Sequence, residues 1–128
     1  IGANAELHLV GKLGFEITDK KLKRAGLDYW VHLKWFHHKT FEDFLSVVED
    51  PKRLIFFETN TDKLVYDYKI KNGDWLIFGK ETKGISQSVL DKYPDQIVKF
   101  PIYGPIRSLN LANTVAAGVY EAVRQVTR

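Results

Sequence analysis

The chain has 128 residues, 45% of them hydrophobic and 13% aromatic, enough for one globular core over residues 1–128. It contains no run of roughly 18 apolar residues, which excludes a membrane-spanning helix, and no cysteine, which excludes disulfides and thiolate metal sites and agrees with a cytoplasmic home. The net charge of +3 is mildly basic and points only weakly to a polyanionic partner.

In chain order, Ala5 to Val10 alternates and predicts a strand, with Gly11 and Gly14 punctuating the turn after it. Asp19 can cap a short helix, Lys20 to Ala25, closed by Gly26. The cluster Lys20, Lys21, Lys23 and Arg24 reads either as a solvated helix face or as a phosphate-binding patch. Tyr29 to Phe36 alternates, with Val31, Leu33 and Trp35 on one face, and predicts a second strand. Thr40 to Asp43 has the form of a capping box, followed by a helical face of Phe41, Phe44, Leu45 and Val48 that Pro51 ends.

Arg53 to Glu58 and Asp74 to Phe78 are strand-sized apolar runs of the kind buried on both faces of a parallel sheet. Leu64 to Tyr66 between them is a short strand or a turn. Ser86 can cap a helix reaching Tyr93, where Pro94 stops it. Ile97 to Phe100 is a last short strand. The final helix runs from about Asn110 to Thr127, with an apolar stripe of Ala112, Val115, Ala116, Val119, Val123 and Val126. Strands alternating with helices predict an α/β fold with a mainly parallel sheet and helices on both faces.

Two turns stand out. Gly79 ends a buried strand and opens Lys80-Glu81-Thr82-Lys83-Gly84. Ligands in open α/β sheets bind beyond the carboxyl ends of strands, so this is a ligand-facing turn or an ordinary loop with solvated charges. Arg107-Ser108-Leu109-Asn110 precedes the last helix, where Ser108 or Asn110 serves as N-cap, and the open amides of the turn also suit a ligand. Asn113 lies one helical step beyond Asn110. Gly118 allows close packing, either on the sheet or between two helices of a dimer. His37 and His38 are adjacent, so on a strand they face opposite ways and make a poor metal pair, while His8 and His32 sit in strand patterns. No metal site is expected.

The stretches KKLKRAGLDYW (20–30), LIFGKETKGI (76–85) and IRSLNLANTVAAGVYEAVRQ (106–125) resemble, in this order, the SpoU-type branch of the SPOUT RNA methyltransferases. Within it the resemblance is to the small subfamily that methylates the tRNA wobble ribose, and it covers essentially the whole chain. It implies an α/β sheet whose C-terminal segment makes a deep trefoil knot, which no propensity argument reaches. It implies S-adenosylmethionine as cofactor, held by loops that start near Phe57, Gly79 and Phe100, with Ser108, Leu109 and Asn110 completing the pocket and Glu81 among the cofactor-binding residues. Ser108, Asn110 and Glu81 match catalytic or orienting positions of the family.

The partners implied are tRNA and a second copy of the chain through the C-terminal helix, not DNA or a membrane. Lys21, Lys23, Arg24 and Arg107 can neutralise phosphates, and Tyr120 can stack on a base or pack at the dimer interface. The family's first motif, with an arginine that helps activate the ribose hydroxyl, is not in the sequence. The chain begins at Ile1 and has no methionine, so the expectation is that an N-terminal strand and this motif are missing. The function expected is 2′-O-methylation of cytidine or uridine at the tRNA wobble position. The alternatives are another RNA site or an inactive RNA-binding module.

Overall fold

A computed structural model describes residues 1–13, 28–81 and 83–127, which fall into two units, Ile1–Glu49 and Asp50–Arg128. In the first unit, strand β1 (Leu7–Val10) pairs in parallel with β2 (Trp35–His38), with Leu7 opposite Trp35 and Val10 opposite His38. The strand expected over Tyr29 to Phe36 is therefore corrected. Asp28–His32 forms a 3-10 turn, and the strand starts six residues later than expected. The alternation failed as a guide because β1 offers only four residues to pair with, and Val31, on the expected inner face, is 79% exposed.

The cap half of the expected capping box is present: Thr40 Oγ1 accepts from Asp43 N–H at 3.1 Å and starts α1 (Phe41–Leu45). This helix ends before Pro51, because the Ser46 hydroxyl bonds back to Asp43 O at 2.6 Å and the chain tightens there. Phe44 is buried and meets the rings of His8 and His38 edge-on. The histidines serve local structure: His8 Nδ1 lies 2.9 Å from His38 Nε2, and His37 Nε2 lies 2.6 Å from Gly11 O. The Lys20–Ala25 helix, Gly14 and Gly26 lie outside the described residues.

The second unit is built on a parallel sheet of order β4-β3-β5, with β3 at Leu54–Phe57, β4 at Trp75–Phe78 and β5 at Ile97–Val98. All four residues of β3 are buried, as a central strand covered on both faces must be. One face presents Ile55 and Phe57, which with Val65, Ile70 and Val98 form the core. The other presents Phe56, stacked on Tyr93 at 5.3 Å just beyond α2 (Gln87–Leu90). The strand expected to reach Phe100 ends at Val98, and Lys99 instead bridges to Leu64, which precedes a 3-10 turn.

The last helix, α3 (Leu111–Val126), has the expected extent, but its buried face differs from the expected stripe. Gly118 and Glu121 are its buried residues, whereas Ala112, Ala116 and Val126 are exposed. The reason is Phe57 stacked on Phe78 at 4.5 Å. A Cβ at position 118 would sit 3.0 Å from Phe78 Cζ and 3.3 Å from Phe57 Cζ, so the helix lies on the sheet where it has no side chain. Glu121 is buried because it is fully partnered, accepting from Arg124 at 2.7 and 2.8 Å and from Gln125 at 2.7 Å. Gln125 in turn accepts from Ile70 N–H at 2.8 Å, tying the helix to the loop between β3 and β4.

Candidate active site

Because β3, β4 and β5 are parallel, their carboxyl ends share one edge of the sheet, and the loops that leave them bound a cleft of about 280 Å³. Phe57, Gly79, Glu81, Phe100, Ser108 and Leu109, expected from separate stretches of sequence, all line it. Phe57, Phe78 and Phe100 supply an apolar wall, with Phe57 stacked on Phe100 at 5.8 Å. Leu109 lies at the rim and is 41% exposed. Lys80, Lys83 and Lys99 bring positive charge to the cleft, and Glu58 and Glu81 negative charge.

The turn after β4 owes its shape to two glycines. A Cβ on Gly79 would lie 2.5 Å from Ile85 N, so only glycine lets the strand end approach the returning loop this closely. Gly84 has φ +63° and its N–H donates to Lys80 O at 2.8 Å, closing the turn.

Asn110 does not line the cleft. Its Oδ1 accepts from Asn113 N–H at 3.2 Å and its carbonyl accepts from the Thr114 hydroxyl at 2.9 Å, so it caps α3 and fixes the helix start beside Ser108. Asn113 therefore meets Asn110 through its backbone. Arg107 is exposed on the loop before α3, outside the cleft lining. Tyr120 is 57% exposed on α3, also outside it. Lys21, Lys23 and Arg24 lie outside the described residues.

Sequence reasoning passed over Glu58, Lys99 and Thr114, which also line the cleft. Glu58 directly follows β3, so the rule that singled out Gly79 at the end of β4 would have found it. The groups with displaced acidities stand outside the lining. A hydrogen bond from Arg124 holds the Glu121 carboxyl below its ordinary value. Burial, with Asp74 nearby, raises the Tyr68 phenol. Burial and the neighbouring His8 lower His38.

Residues 2–120 match the SpoU rRNA Methylase family. A protein of Burkholderia ambifaria named tRNA (cytidine(34)-2′-O)-methyltransferase is 42% identical over 123 residues, covering 94% of this chain and 79% of the relative. A solved structure concerned with 2-OH methylation of C/U34 on tRNA superimposes with a TM-score of 0.86 at 41% identity, over 95% of this chain and 79% of that one. The SpoU methyltransferase AviRb from Streptomyces viridochromogenes, in complex with AdoMet, gives a TM-score of 0.78 at 26% identity, over 97% of this chain and 49% of that one.

Proposed function

We infer, since the chain belongs to the SpoU rRNA Methylase family, that it is a tRNA ribose 2′-O-methyltransferase acting on cytidine or uridine at the wobble position, nucleotide 34. The relative and the solved structure that match it at 42% and 41% identity, each over more than nine-tenths of this chain, carry that choice of substrate over other RNA sites. One methyltransferase domain runs through both units, in keeping with a family match that spans residues 2–120. The segment entering α3 forms the trefoil knot of the SPOUT fold.

The cleft suits S-adenosylmethionine by its chemistry. The aromatic wall of Phe57, Phe78 and Phe100 fits the adenosyl part, and side chains of both signs fit a sulfonium and an amino-acid end. When bound, this cofactor supplies an electrophilic methyl group on a positive sulfur. That methyl would pass to the ribose 2′-oxygen as the sulfur–methyl bond breaks, and the hydroxyl proton would leave to water. The protein's part is orientation, since a hydroxyl reacts only when it is in line with the methyl it takes. Ser108, exposed at the cleft beside the helix start, and Glu81, on the opposing turn, orient the two reactants. Asn110 supports Ser108 by capping α3.

Phosphates of tRNA meet Arg107, together with Lys21, Lys23 and Arg24. Two chains pair through α3, where Ala112, Ala116 and Tyr120 recur every fourth residue and are all exposed. The protein works in the cytoplasm, where its tRNA substrate is. Among the described residues no helix is long and apolar enough to cross a membrane.

The observation that carries the proposal is the convergence of Phe57, Gly79, Glu81, Phe100, Ser108 and Leu109 on one cleft. Isothermal titration tests it. S-adenosylmethionine is expected to bind the wild-type protein and to lose most of its affinity for Gly79→Ala, which cannot close the turn. Absence of binding at millimolar cofactor overturns the reading.

A further inference from the structure

We infer that Glu58 is a positioning residue of the cleft, whose carboxylate pins the loop after β4 against the end of β3. The inference rests on reading the cleft as the cofactor site. Glu58 is the first residue beyond β3, and its own N–H donates to Val98 O at 2.9 Å, which fixes it against the end of β5. Its Oε1 accepts from the part-buried Ile85 N–H at 3.0 Å, across 27 residues of sequence. One residue therefore opens the loop after β3, bonds to the end of β5 and holds the far end of the loop after β4.

Two further contacts make this tie specific. Gly84 leaves room for the carboxylate: a Cβ there would lie 2.7 Å from Glu58 Oε1. A Cβ on Gly79 would lie 2.5 Å from the same Ile85 nitrogen. The Ile85 amide thus has both a strand end with no side chain and a carboxylate against it. Without the carboxylate that amide has lost its acceptor in a part-buried place, which favours conformations that move the loop toward water. Fewer molecules then hold the loop where the cofactor needs it. A saturating cofactor reselects the competent form, so affinity falls while the maximal rate holds.

The test compares wild type, Glu58→Ala, Glu58→Gln and Gly84→Ala by titration with S-adenosylmethionine, by steady-state rates, and by amide exchange at Ile85 without cofactor. Glu58→Ala is expected to raise the cofactor Kd and KM about tenfold, the cost of one lost acceptor, with kcat within about twofold of wild type. Its Ile85 amide exchanges faster. Glu58→Gln keeps an acceptor oxygen and is expected to stay within about threefold of wild type in Kd and in Ile85 exchange. Gly84→Ala sets a Cβ 2.7 Å from the same oxygen and also strains a backbone held at φ +63°, so it is expected to raise Kd as well, which keeps the test open if Glu58→Ala does not fold.

Wild-type affinity and wild-type Ile85 protection in Glu58→Ala overturn the inference, and so does a Gln variant as weak as the Ala variant. If the Ala variant fails to fold, wild-type affinity in Gly84→Ala overturns it. Failure of the wild type itself to bind cofactor overturns the cofactor reading instead, while exchange at Ile85 still decides whether Glu58 pins the loop.

Discussion

Ser108 and Asn110 stand two residues apart and do different work. Ser108 faces the cleft, whereas the side chain of Asn110 is committed to the first turn of α3. Ser108→Ala is therefore expected to lower methyl transfer at least tenfold with the melting temperature nearly unchanged. Asn110→Ala is expected to cost about 1 kcal/mol of stability as a lost N-cap and to lower methyl transfer by more than that loss explains. Thermal unfolding run beside turnover separates the two, and wild-type turnover in both variants refutes the assignment. At Gly118 the sign is set by crowding. Alanine gains about 1 kcal/mol of helix propensity, but its Cβ would meet the stacked Phe78 and Phe57 rings at 3.0 and 3.3 Å. Overpacking of this kind costs about 1–3 kcal/mol. Gly118→Ala is expected to be neutral to destabilising by about 2 kcal/mol in denaturant titration, and a clear gain of stability would contradict the packing described.

At the scale of elements, the two units carry different acid sensitivities. The His38 value is depressed by burial and by His8, so the folded first unit resists protonation that the unfolded chain accepts. Its stabilising effect is complete above the ordinary value of 6.5 and is lost as pH falls from there through the lowered folded value. Glu121 is depressed by its bond from Arg124, so its contribution is complete above the ordinary 4.5 and is lost as pH falls through its own lowered value. Amide exchange followed against pH is expected to show β1 and β2 loosening first, then α3 loosening in more acid solution. Glu121→Gln should flatten the second step and leave the first.

The same scale shows what the sequence made legible. β3 and β4 could be read because a strand buried on both faces must be continuously apolar, and Leu54–Phe57 and Trp75–Phe78 are. α1 could be read from a cap whose hydrogen bond spans three residues. β2 could not, because its start depends on the length of a partner 28 residues away, with Leu7 opposite Trp35. The buried face of α3 was also hidden. It is centred on a glycine and a partnered glutamate, which no apolar pattern counts.

At the scale of the molecule, the cleft was legible where motif residues mark strand ends and the helix start. It was hidden where its shape depends on pairs distant in sequence, such as Glu58 with Ile85. The proposed pairing of two chains through α3 makes its own prediction. Ala116→Glu places a charge on the exposed face that carries Ala112 and Tyr120, and is expected to turn a dimer into a monomer in analytical ultracentrifugation without unfolding it. An unchanged dimer mass would move the interface elsewhere.

The activity inferred for the chain is methylation of a defined ribose on tRNA. It is tested most directly by incubating the protein and S-adenosylmethionine with tRNA lacking the modification, then locating the added methyl by mass spectrometry of nuclease fragments and nucleosides. One methyl is expected on the 2′-oxygen of cytidine or uridine 34, lost in Ser108→Ala. No transfer by the wild-type protein, or a methyl at any other nucleotide or on a base, would contradict it.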